Sequence, residues 1–333
     1  MNLLQKISQA SGFGRSNRAL LIINESSGDQ IPNREKAERI KELLAPAGFA
    51  LETRWVSSEK PLGDTVRQAL NHGVKAILVG GGDGTVSPVA AQLVKSDVSL
   101  GILPLGTYNN IARSIGMPAD YEEACRVIAA GFNKVIDVGL MEKGKYFFEA
   151  AGGGLDATLF PVGEEIKGGR WSRIVHFARL TRNYSARRIR LTFDRPVGEA
   201  VSRDRHHRYT RKTLRGRSIG LRALIVAIAN GPYYGGGFTV APSASMEDGR
   251  LTIAIFRRFS KLELIRHFIS ISRGQKHYSP KVEIFRAAEV RLASDRPLSL
   301  HADGEPCGEA PATFRCEPQA LRVYAPAAAT QGM

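Results

Sequence analysis

Residues 79–90, with the sequence VGGGDGTVSPVA, combine a glycine cluster with one acidic and one hydroxyl side chain. Three consecutive glycines leave one side of the backbone almost bare, which costs stability unless a close neighbour or special dihedral angles require it. Backbone N–H groups in such a turn, followed by the start of a helix, can bind anionic oxygens. The cluster therefore predicts a phosphate site, and a tight turn with a helix cap is the alternative interpretation.

The spacing of this cluster excludes the two best-known phosphate loops. A P-loop has Lys and then Ser or Thr after its last glycine, whereas Gly84 is followed by Thr85 and Val86. A dinucleotide-binding fingerprint also fails, because its third glycine would fall at position 85 or 87. The carboxylate of Asp83 would by itself repel a phosphate group, so it suggests a Mg²⁺ ion or a hydroxyl donor nearby.

Three later segments also combine residues that can do chemistry. Two of them, APSASMEDGRLTI (241–253) and LHADGEPCGE (300–309), contain Asp-Gly, which taken alone favours a hairpin turn. Glu305 lies two residues after its aspartate and could act as a general base if it faces a cleft. The third segment, NGPYYGGGFTVAP (230–242), is rich in glycine and has two tyrosines suited to lining an apolar slot.

Other common chemistries find no support in the sequence. There is no G-x-S-x-G nucleophile motif, no H-E-x-x-H and no paired C-x-x-C. The three cysteines are scattered and form neither a metal pattern nor an even disulfide framework. The N-terminus has no apolar core of the secretory type, and no apolar run approaches the roughly 20 residues that span a bilayer. We therefore expect a cytoplasmic protein.

The first 140 residues alternate between strand and helix patterns. Strands are predicted at 19–24, 50–56, 75–80 and 100–104, and helices at 33–48, 64–73, 86–96 and 121–131. Such alternation predicts a parallel sheet covered on both faces, with ligands beyond the carboxyl ends of the strands. The glycine cluster and the segment LPLGTYNN (103–110) both fall at those ends.

The pattern changes after about residue 140. Most later segments read as strands, with helices predicted only at 170–184 and 261–273. We therefore predict three parts: an α/β domain over 1–138, a β-sandwich over 139–312, and a final segment, 313–333, whose strand is a candidate to return to the first domain.

The net charge of +15 is unevenly placed. Residues 167–222 contain seventeen Lys and Arg against three acids, a difference of +14. Such a block implies an anionic partner, either a nucleic acid or an anionic membrane surface, and a solvated loop is the alternative.

Four motifs, taken in order, resemble the diacylglycerol kinase catalytic family, especially the bacterial lipid kinases related to sphingosine and ceramide kinases. These motifs are GGGDGT, GILPLGTYNNIARSIGMP, NGPYYGGGFTVAPSASMEDGRLTI and HADGEP. The resemblance covers residues 18 to 325. It implies an N-terminal α/β domain that binds ATP, a C-terminal β-sandwich, and transfer of a phosphoryl group to a lipid hydroxyl.

The resemblance also assigns site residues. The family's nucleotide contacts fall on the following positions: Ser57, Gly81, Gly82, Asp83, Gly84, Thr85 and Thr107. Its structural Mg²⁺ site, built partly from backbone carbonyls, falls on Ser245, Asp248 and Arg250. Its catalytic base, which takes the proton from the lipid hydroxyl, falls on Glu305.

This chain departs from the family pattern at two places. Ser87-Pro88 replaces the family's Asn-Glu after the first loop, and Asn109-Asn110 replaces Asn-Asp after the second. Asp83, Asp156 on the substrate side, and Glu305 then remain as the main acidic candidates. An NAD kinase-like enzyme with a soluble substrate and a non-catalytic lipid-binding relative stay open as alternatives. The preferred hypothesis is a peripheral enzyme on the inner face of the cell membrane, held by residues 167–222, with no nucleic-acid partner.

Overall fold

The computed structural model describes residues 17–25, 33–57, 62–154, 186–195, 200–203, 209–212, 217–257 and 282–327, together with Phe259 and Glu263. Contacts divide the chain into two units, one made of residues 1–136 and 319–333 and the other of residues 137–318. Within the described residues, no helix has the length and apolar composition needed to cross a membrane.

The first unit alternates strands with helices. Its described elements are, in chain order, β1 (Asn17–Asn24), α1 (Asn33–Leu44), β2 (Phe49–Val56), α2 (Leu62–Asn71), β3 (Ala76–Gly81), α3 (Asp83–Leu93), β4 (Ser99–Pro104), α4 (Asn110–Ser114) and α5 (Tyr121–Ala129). The strands pair in parallel in the order β2–β1–β3–β4. Chain order reverses between β1 and β3, the position at which open α/β sheets bind ligands beyond the strand ends.

The hydrophobic pattern explains this sheet. Every residue of β3 and β4 is buried, which is typical of parallel strands covered by helices on both faces. Helix α1 buries Ala37, Ile40 and Leu44, whose spacing places them on one helix face. On the exposed side, Arg39 of α1 forms an ion pair with Glu122 of α5 at 3.0 Å.

The second unit is built from antiparallel strands. Its described strands are β5 (Asn133–Met141, which begins in the first unit), β6 (Lys145–Phe147), β7 (Ala150–Gly154), β8 (Arg187–Phe193), β9 (Ala200–Arg203), β10 (Tyr209–Lys212), β11 (Ser218–Ala223), β12 (Ile225–Ala229), β13 (Tyr233–Tyr234), β14 (Phe238–Thr239), β15 (Leu251–Phe256), β16 (Val282–Ala287), β17 (Glu289–Ser294), β18 (Ser299–Ala302), β19 (Glu305–Glu309) and β20 (Ala312–Tyr324, which ends in the first unit). One sheet contains β11–β8–β17–β20, and the other contains β10–β9–β16–β15–β12–β7–β18–β19.

A hydrophobic core lies between these two sheets. Phe193 of β8 meets Phe285 of β16 with ring centroids 5.7 Å apart, and Leu292 and Ile253 belong to the same buried cluster. Two sheets that bury one face each against a shared core form a β-sandwich. The fold class predicted from the sequence, an α/β domain followed by a β-sandwich, is therefore confirmed.

The last strand takes part in both units. Val290 of β17 pairs with Phe314 near the start of β20, in the second unit. Near its end, Val323 pairs in parallel with Leu100 of β4, in the first unit. The amide of Lys95 also donates to a carbonyl of this end of the strand.

The structure corrects the elements expected from the sequence at three places. Helix α3 begins at Asp83 rather than at 86, because the extended Gly82 carbonyl accepts the N–H groups of Thr85 and Val86 at 2.9 and 3.0 Å. Pro88 therefore lies inside the helix, where it removes the N–H that would bond to the Gly84 carbonyl.

The other two corrections concern elements that the hydrophobic pattern did not separate. The segment 221–230, predicted as one strand, is broken at Leu224, because β11 lies in one sheet of the sandwich and β12 in the other. Helix α4 was not predicted. The predicted helix 170–184, the predicted helix 261–273 apart from the helical residue Glu263, Asp156 and much of the basic segment lie outside the described residues.

Candidate active site

Polar residues and glycines collect at the carboxyl edge of the parallel sheet. Asn24 ends β1, half-buried Ser57 follows β2, and Gly81 ends β3. The strand register places Asn24 beside Val56 and Gly80 beside Ile23, so these ends are level. The side-chain amide of Asn24 donates to the hydroxyl of buried Thr85 at 2.9 Å, which ties β1 to the first turn of α3.

The two glycine loops of this edge touch through their backbones. A Cβ atom at Gly106 would lie 2.3 Å from the Cα of Gly82, closer than real carbon atoms approach. Gly84 differs, because no heavy atom lies within 4 Å of the position its Cβ would take. Gly106 is thus required by loop–loop contact, and a Cβ at Gly82 would lie tightly, 3.3 Å from the Cα of Gly106. Gly84, by contrast, leaves the start of α3 open.

Asp83 links the first loop to the second. Its Oδ2 accepts the N–H of Asn110 at 2.8 Å and its Oδ1 accepts the N–H of Ile111 at 2.9 Å. Burial raises the pKa of the Asp83 carboxyl, and the amides of Ile111 and Asn110 together with the charge of Arg113 oppose that rise. The carboxylate thus holds the start of α4 against the start of α3.

Asn109 fixes the shape of the second loop. Its backbone is left-handed, with φ of 50°, a conformation that asparagine tolerates better than most residues. Its side chain accepts the Gly106 N–H at 3.0 Å and donates to the Gly106 carbonyl at 2.7 Å. Thr107 is exposed on the loop so formed.

The first unit thus brings one group of predicted residues to a single edge, namely Ser57, residues 81–85 and Thr107. The structural roles of Asn24 and Asn109 were not predicted from the sequence. A polar residue that ends a buried strand was the available signal for Asn24, and the Asn-Asn pair that begins three residues after Gly106 was the signal for Asn109. Neither Pro88, exposed in α3, nor buried Asn110 supplies a carboxylate at this edge.

In the second unit, Glu305 follows a two-residue hairpin turn. Asp303 and Gly304 have φ of 47° and 82°, and Ala302 pairs with Glu305, which matches a two-residue turn with left-handed residues. Glu305 is exposed, and one of its carboxylate oxygens binds the Lys145 ammonium group at 2.9 Å. The other oxygen forms no hydrogen bond within the described residues.

Asp303 anchors this turn. Its two carboxylate oxygens accept the N–H groups of Phe148 at 2.8 Å and Glu149 at 2.9 Å. The turn that precedes Glu305 is therefore attached to the start of β7 rather than free in solution. Asp303 was read in the sequence only as part of a turn, and its anchoring role was missed.

The predicted metal residues form a second turn, at 245–250. Oδ1 of Asp248 accepts the Arg250 N–H at 3.1 Å, its other oxygen pairs with Arg286, and Ser245 accepts the Glu247 N–H at 3.2 Å. Carboxylate, hydroxyl and carbonyl oxygens are the donors that Mg²⁺ prefers, so this set fits the ion by chemistry. Within the described chain, no three His, Cys, Asp or Glu side chains cluster as a metal site.

The glycine-rich segment 230–242 packs on the outer side of the eight-stranded sheet. Tyr234 is buried there and its hydroxyl lies 2.7 Å from Nδ1 of His301, with the two rings stacked. Buried Glu149 accepts the Gly235 N–H at 3.1 Å. Tyr234 is thus part of a buried polar cluster rather than the lining of an apolar slot.

Two family models match the chain. One, described as the diacylglycerol kinase catalytic domain, matches residues 18–141. The other, described as the YegS C-terminal NAD kinase beta sandwich-like domain, matches residues 176–325. Together they span both units.

Curated relatives match along nearly the whole chain. A probable lipid kinase YegS-like protein of Chromohalobacter salexigens is 30% identical over 318 residues, covering 92% of each chain. A diacylglycerol kinase of Staphylococcus saprophyticus is 28% identical over 319 residues, covering 93% of this chain and 95% of its own. A solved structure of a putative diacylglycerol kinase from Bacillus anthracis superposes with a TM-score of 0.71 over 94% of this chain and 99% of its own. The two sequences are 22% identical, so this similarity supports the fold alone.

Proposed function

The chain belongs to the diacylglycerol kinase family of lipid kinases, and on this premise we propose that it transfers the γ-phosphoryl group of ATP to a hydroxyl of a diacylglycerol-like membrane lipid. The observation that carries the proposal is the pair of glycine loops, after β3 and β4, that touch at the carboxyl edge of the parallel sheet. Phosphoryl transfer demands positioning and neutralisation of charge more than covalent chemistry. A bare, rigid backbone at a helix start supplies both.

The phosphates of ATP bind at residues 81–85 in this proposal. Gly84 lets the ligand approach the backbone at the start of α3, and the amides there donate to phosphate oxygens. Thr107 and Ser57, at the same edge, contact the nucleotide. Asp83 acts as a positioning residue, because both of its oxygens are committed to the amides of α4.

Glu305 serves as the general base. Its free carboxylate oxygen takes the proton from the lipid hydroxyl while Lys145 holds the other oxygen in place. The anchored turn at Asp303 limits the motion of the strand that carries Glu305, which favours a defined position for the base. Asp156, outside the described residues, is proposed to act on the substrate side.

A Mg²⁺ ion bound at Ser245, Asp248 and Arg250 would stabilise the turn that leads into β15. Asp137, which accepts the Gly249 N–H at 2.6 Å, supports this turn from inside the second unit. When bound, Mg²⁺ neutralises negative charge on its oxygen ligands.

We further propose that the enzyme reaches its substrate as a peripheral protein on an anionic membrane, through the basic segment 167–222. A lipid held in a bilayer must be approached at the surface, and each Lys or Arg near an anionic leaflet adds about 1 kcal/mol of binding. Residues 186–195, 200–203, 209–212 and 217–222 of this segment are described by the structure.

Radiolabelled phosphate transfer tests the activity. The protein, Mg²⁺ and γ-³²P-ATP are incubated with vesicles of a total bacterial lipid extract or, separately, with NAD. We expect label in an organic-soluble product with the vesicles and none in NAD. Label in NAD would establish the soluble-substrate alternative. ATP binding without transfer to any lipid would favour a non-catalytic lipid-binding protein.

A further inference from the structure

Four arginines stand together on the outer face of the sandwich sheet β11–β8–β17. Arg188 and Arg190 belong to β8, Arg222 to β11 and Arg291 to β17, and all four are exposed. We call this group the arginine face. It includes Arg291, which lies outside the basic segment 167–222 and enters the group only through strand pairing.

The fold fixes the direction of these side chains. Along β8, exposed Arg188 and Arg190 alternate with buried Ile189, Leu191 and Phe193, which pack in the sandwich core. Because successive side chains of a strand point to opposite faces, burial of the apolar set commits the arginines to solvent. The arginine face is therefore a rigid surface rather than a set of loop residues.

The placement of these four arginines does not stabilise the sheet. Arg188 and Arg222 are direct cross-strand partners, and like charges placed opposite each other destabilise an antiparallel pair. Within the described residues, none of the four guanidinium groups forms an ion pair. The nearby carboxylate of Glu289 binds Arg315 instead, at 2.6 Å. A like-charged pair without a counter-ion points to a ligand that supplies the negative charge.

A groove runs across this face. It has a volume of about 530 Å³ and is lined by Arg188, Arg190 and Arg222, with Asp295 as its one acidic lining residue. Gly220 pairs with Arg190, and a Cβ at Gly220 would meet no heavy atom within 4 Å, so the floor of the groove is open there. Planar guanidinium groups around an open floor suit bidentate contacts to phosphate oxygens.

We propose that the arginine face docks the protein on anionic phospholipid head groups, with Arg188, Arg190 and Arg222 as the part of the basic segment that holds it at the membrane. Its neighbours on the same face, Thr192, Ser218 and Ala293, include no aromatic side chain on which a nucleobase could stack, which disfavours single-stranded nucleic acid. The inference rests on the proposal that the substrate is a membrane lipid.

Vesicle cosedimentation without ATP tests this surface apart from catalysis. The full chain and the double variant Arg188→Ser/Arg222→Ser are mixed with vesicles of phosphatidylglycerol and phosphatidylcholine, or of phosphatidylcholine alone. We expect the variant to bind the anionic vesicles roughly thirtyfold more weakly, from two surface charges removed. The control Lys75→Ser/Arg126→Ser removes two exposed charges from the first unit and should bind as the unchanged protein does.

Thermal melting separates a docking role from a structural one. Because a like-charged pair is removed, the melting temperature of Arg188→Ser/Arg222→Ser should stay the same or rise. Any of three results would overturn the arginine face as a membrane-docking surface. The double variant could bind anionic vesicles as strongly as the unchanged protein, the control variant could lose as much binding, or the unchanged protein could bind RNA more tightly than vesicles. Failure of the proposed kinase activity would appear separately, as absence of label transfer to detergent-dispersed lipid by a protein that still binds vesicles.

Discussion

The two oxygens of Asp83 accept amides from Asn110 and Ile111, and these bonds aim the carboxylate at α4. A carboxylate directed at bound phosphates would repel them. Because the Asp83 carboxylate is hydrogen-bonded to α4 instead, this repulsion is reduced inside the glycine loop. The Gly84 amide at the start of α3 remains available for an anionic ligand, because the amides of Thr85 and Val86 already donate to the Gly82 carbonyl. At the scale of the residue, Asp83 shapes the loop from which the nucleotide would be held.

Replacing Asp83 by Ala should therefore abolish phosphoryl transfer and lower stability together. Two buried N–H groups would lose their acceptor, at a cost of about 1–3 kcal/mol each. Label transfer and the midpoint of urea unfolding measure the two effects. Asp64→Ala is the matched control, because Asp64 is an exposed aspartate in the first turn of α2 that only pairs with Arg67. A folded Asp83→Ala protein with full activity would contradict the positioning role.

The stability lost in Asp83→Ala should depend on pH in a direction that the pKa of Asp83 predicts. Burial raises the pKa of Asp83 above its ordinary value of about 3.9, so the ionised form is disfavoured in the folded state. The contribution of this titration to stability is then present at acid pH and is lost as pH rises through the folded pKa. The unfolding free energy lost in Asp83→Ala should accordingly grow from about pH 7 to about pH 4. A loss that shrinks on acidification would show the opposite shift.

Glu305 should affect turnover rather than nucleotide affinity. General-base catalysis contributes about 10²–10⁴-fold, so Glu305→Gln should lower kcat by that range, while the Kd for ATP changes little. Glu309→Gln is a close control, since Glu309 is exposed on the same strand, β19. Loss of ATP binding with kcat preserved would assign Glu305 to the nucleotide instead of the acceptor.

At the scale of elements, the two glycine loops act as one unit. Gly106→Ala would push a methyl group to within 2.3 Å of Gly82, so the loops must separate, and both stability and ATP affinity should fall. The methyl group of Gly84→Ala meets no neighbour and lies in the first turn of α3, where alanine favours the helix more than glycine does. The melting temperature of this variant should therefore stay the same or rise, while its affinity for ATP falls. Calorimetric titration with ATP and thermal melts distinguish the two. Equal behaviour of both variants would argue against a ligand over Gly84.

Hydrophobic periodicity predicted most of the described strands and helices of the first unit but not their exact boundaries. Strands β1, β3 and β4 were visible as apolar runs, because a parallel sheet covered on both faces demands them. The start of α3 was misplaced by three residues, since the carbonyl of Gly82 begins the helix and no side-chain cap marks the position. The break at Leu224 was invisible because apolar residues continue through it.

The sequence predicted only part of the candidate site, because only some of its residues lie in local motifs. The glycines, Thr107 and Glu305 lie in motifs whose order resembles a known family, so the sequence could point to them. The tasks of Asp83, Asp303 and Asn24 depend on partners distant in the chain, which only the folded structure brings near. Which backbone amide a carboxylate accepts is a property of three-dimensional packing, and local pattern does not encode it.

At the scale of the whole molecule, the last strand belongs partly to the unit in which the chain begins. The start of β20 completes a sheet of the sandwich, and its end pairs with β4 of the parallel sheet. Leu321 and Val323 in this end are fully buried. The first unit therefore cannot complete its core until the final strand has been synthesised.

This dependence predicts that a substitution near the C-terminus destabilises the first unit. Leu321→Ala should lower the free energy of unfolding by about 2–5 kcal/mol, as truncation of a buried leucine leaves a cavity. Arg322→Ala, at the next position and only half-buried, should change it by less than about 0.5 kcal/mol.

Urea unfolding followed with and without saturating ATP is the measurement: a ligand that binds only the folded unit adds stability by mass action. The ATP-induced shift should therefore persist in Leu321→Ala on a lowered baseline. An unchanged midpoint in Leu321→Ala would mean that the first unit completes its core without the last strand.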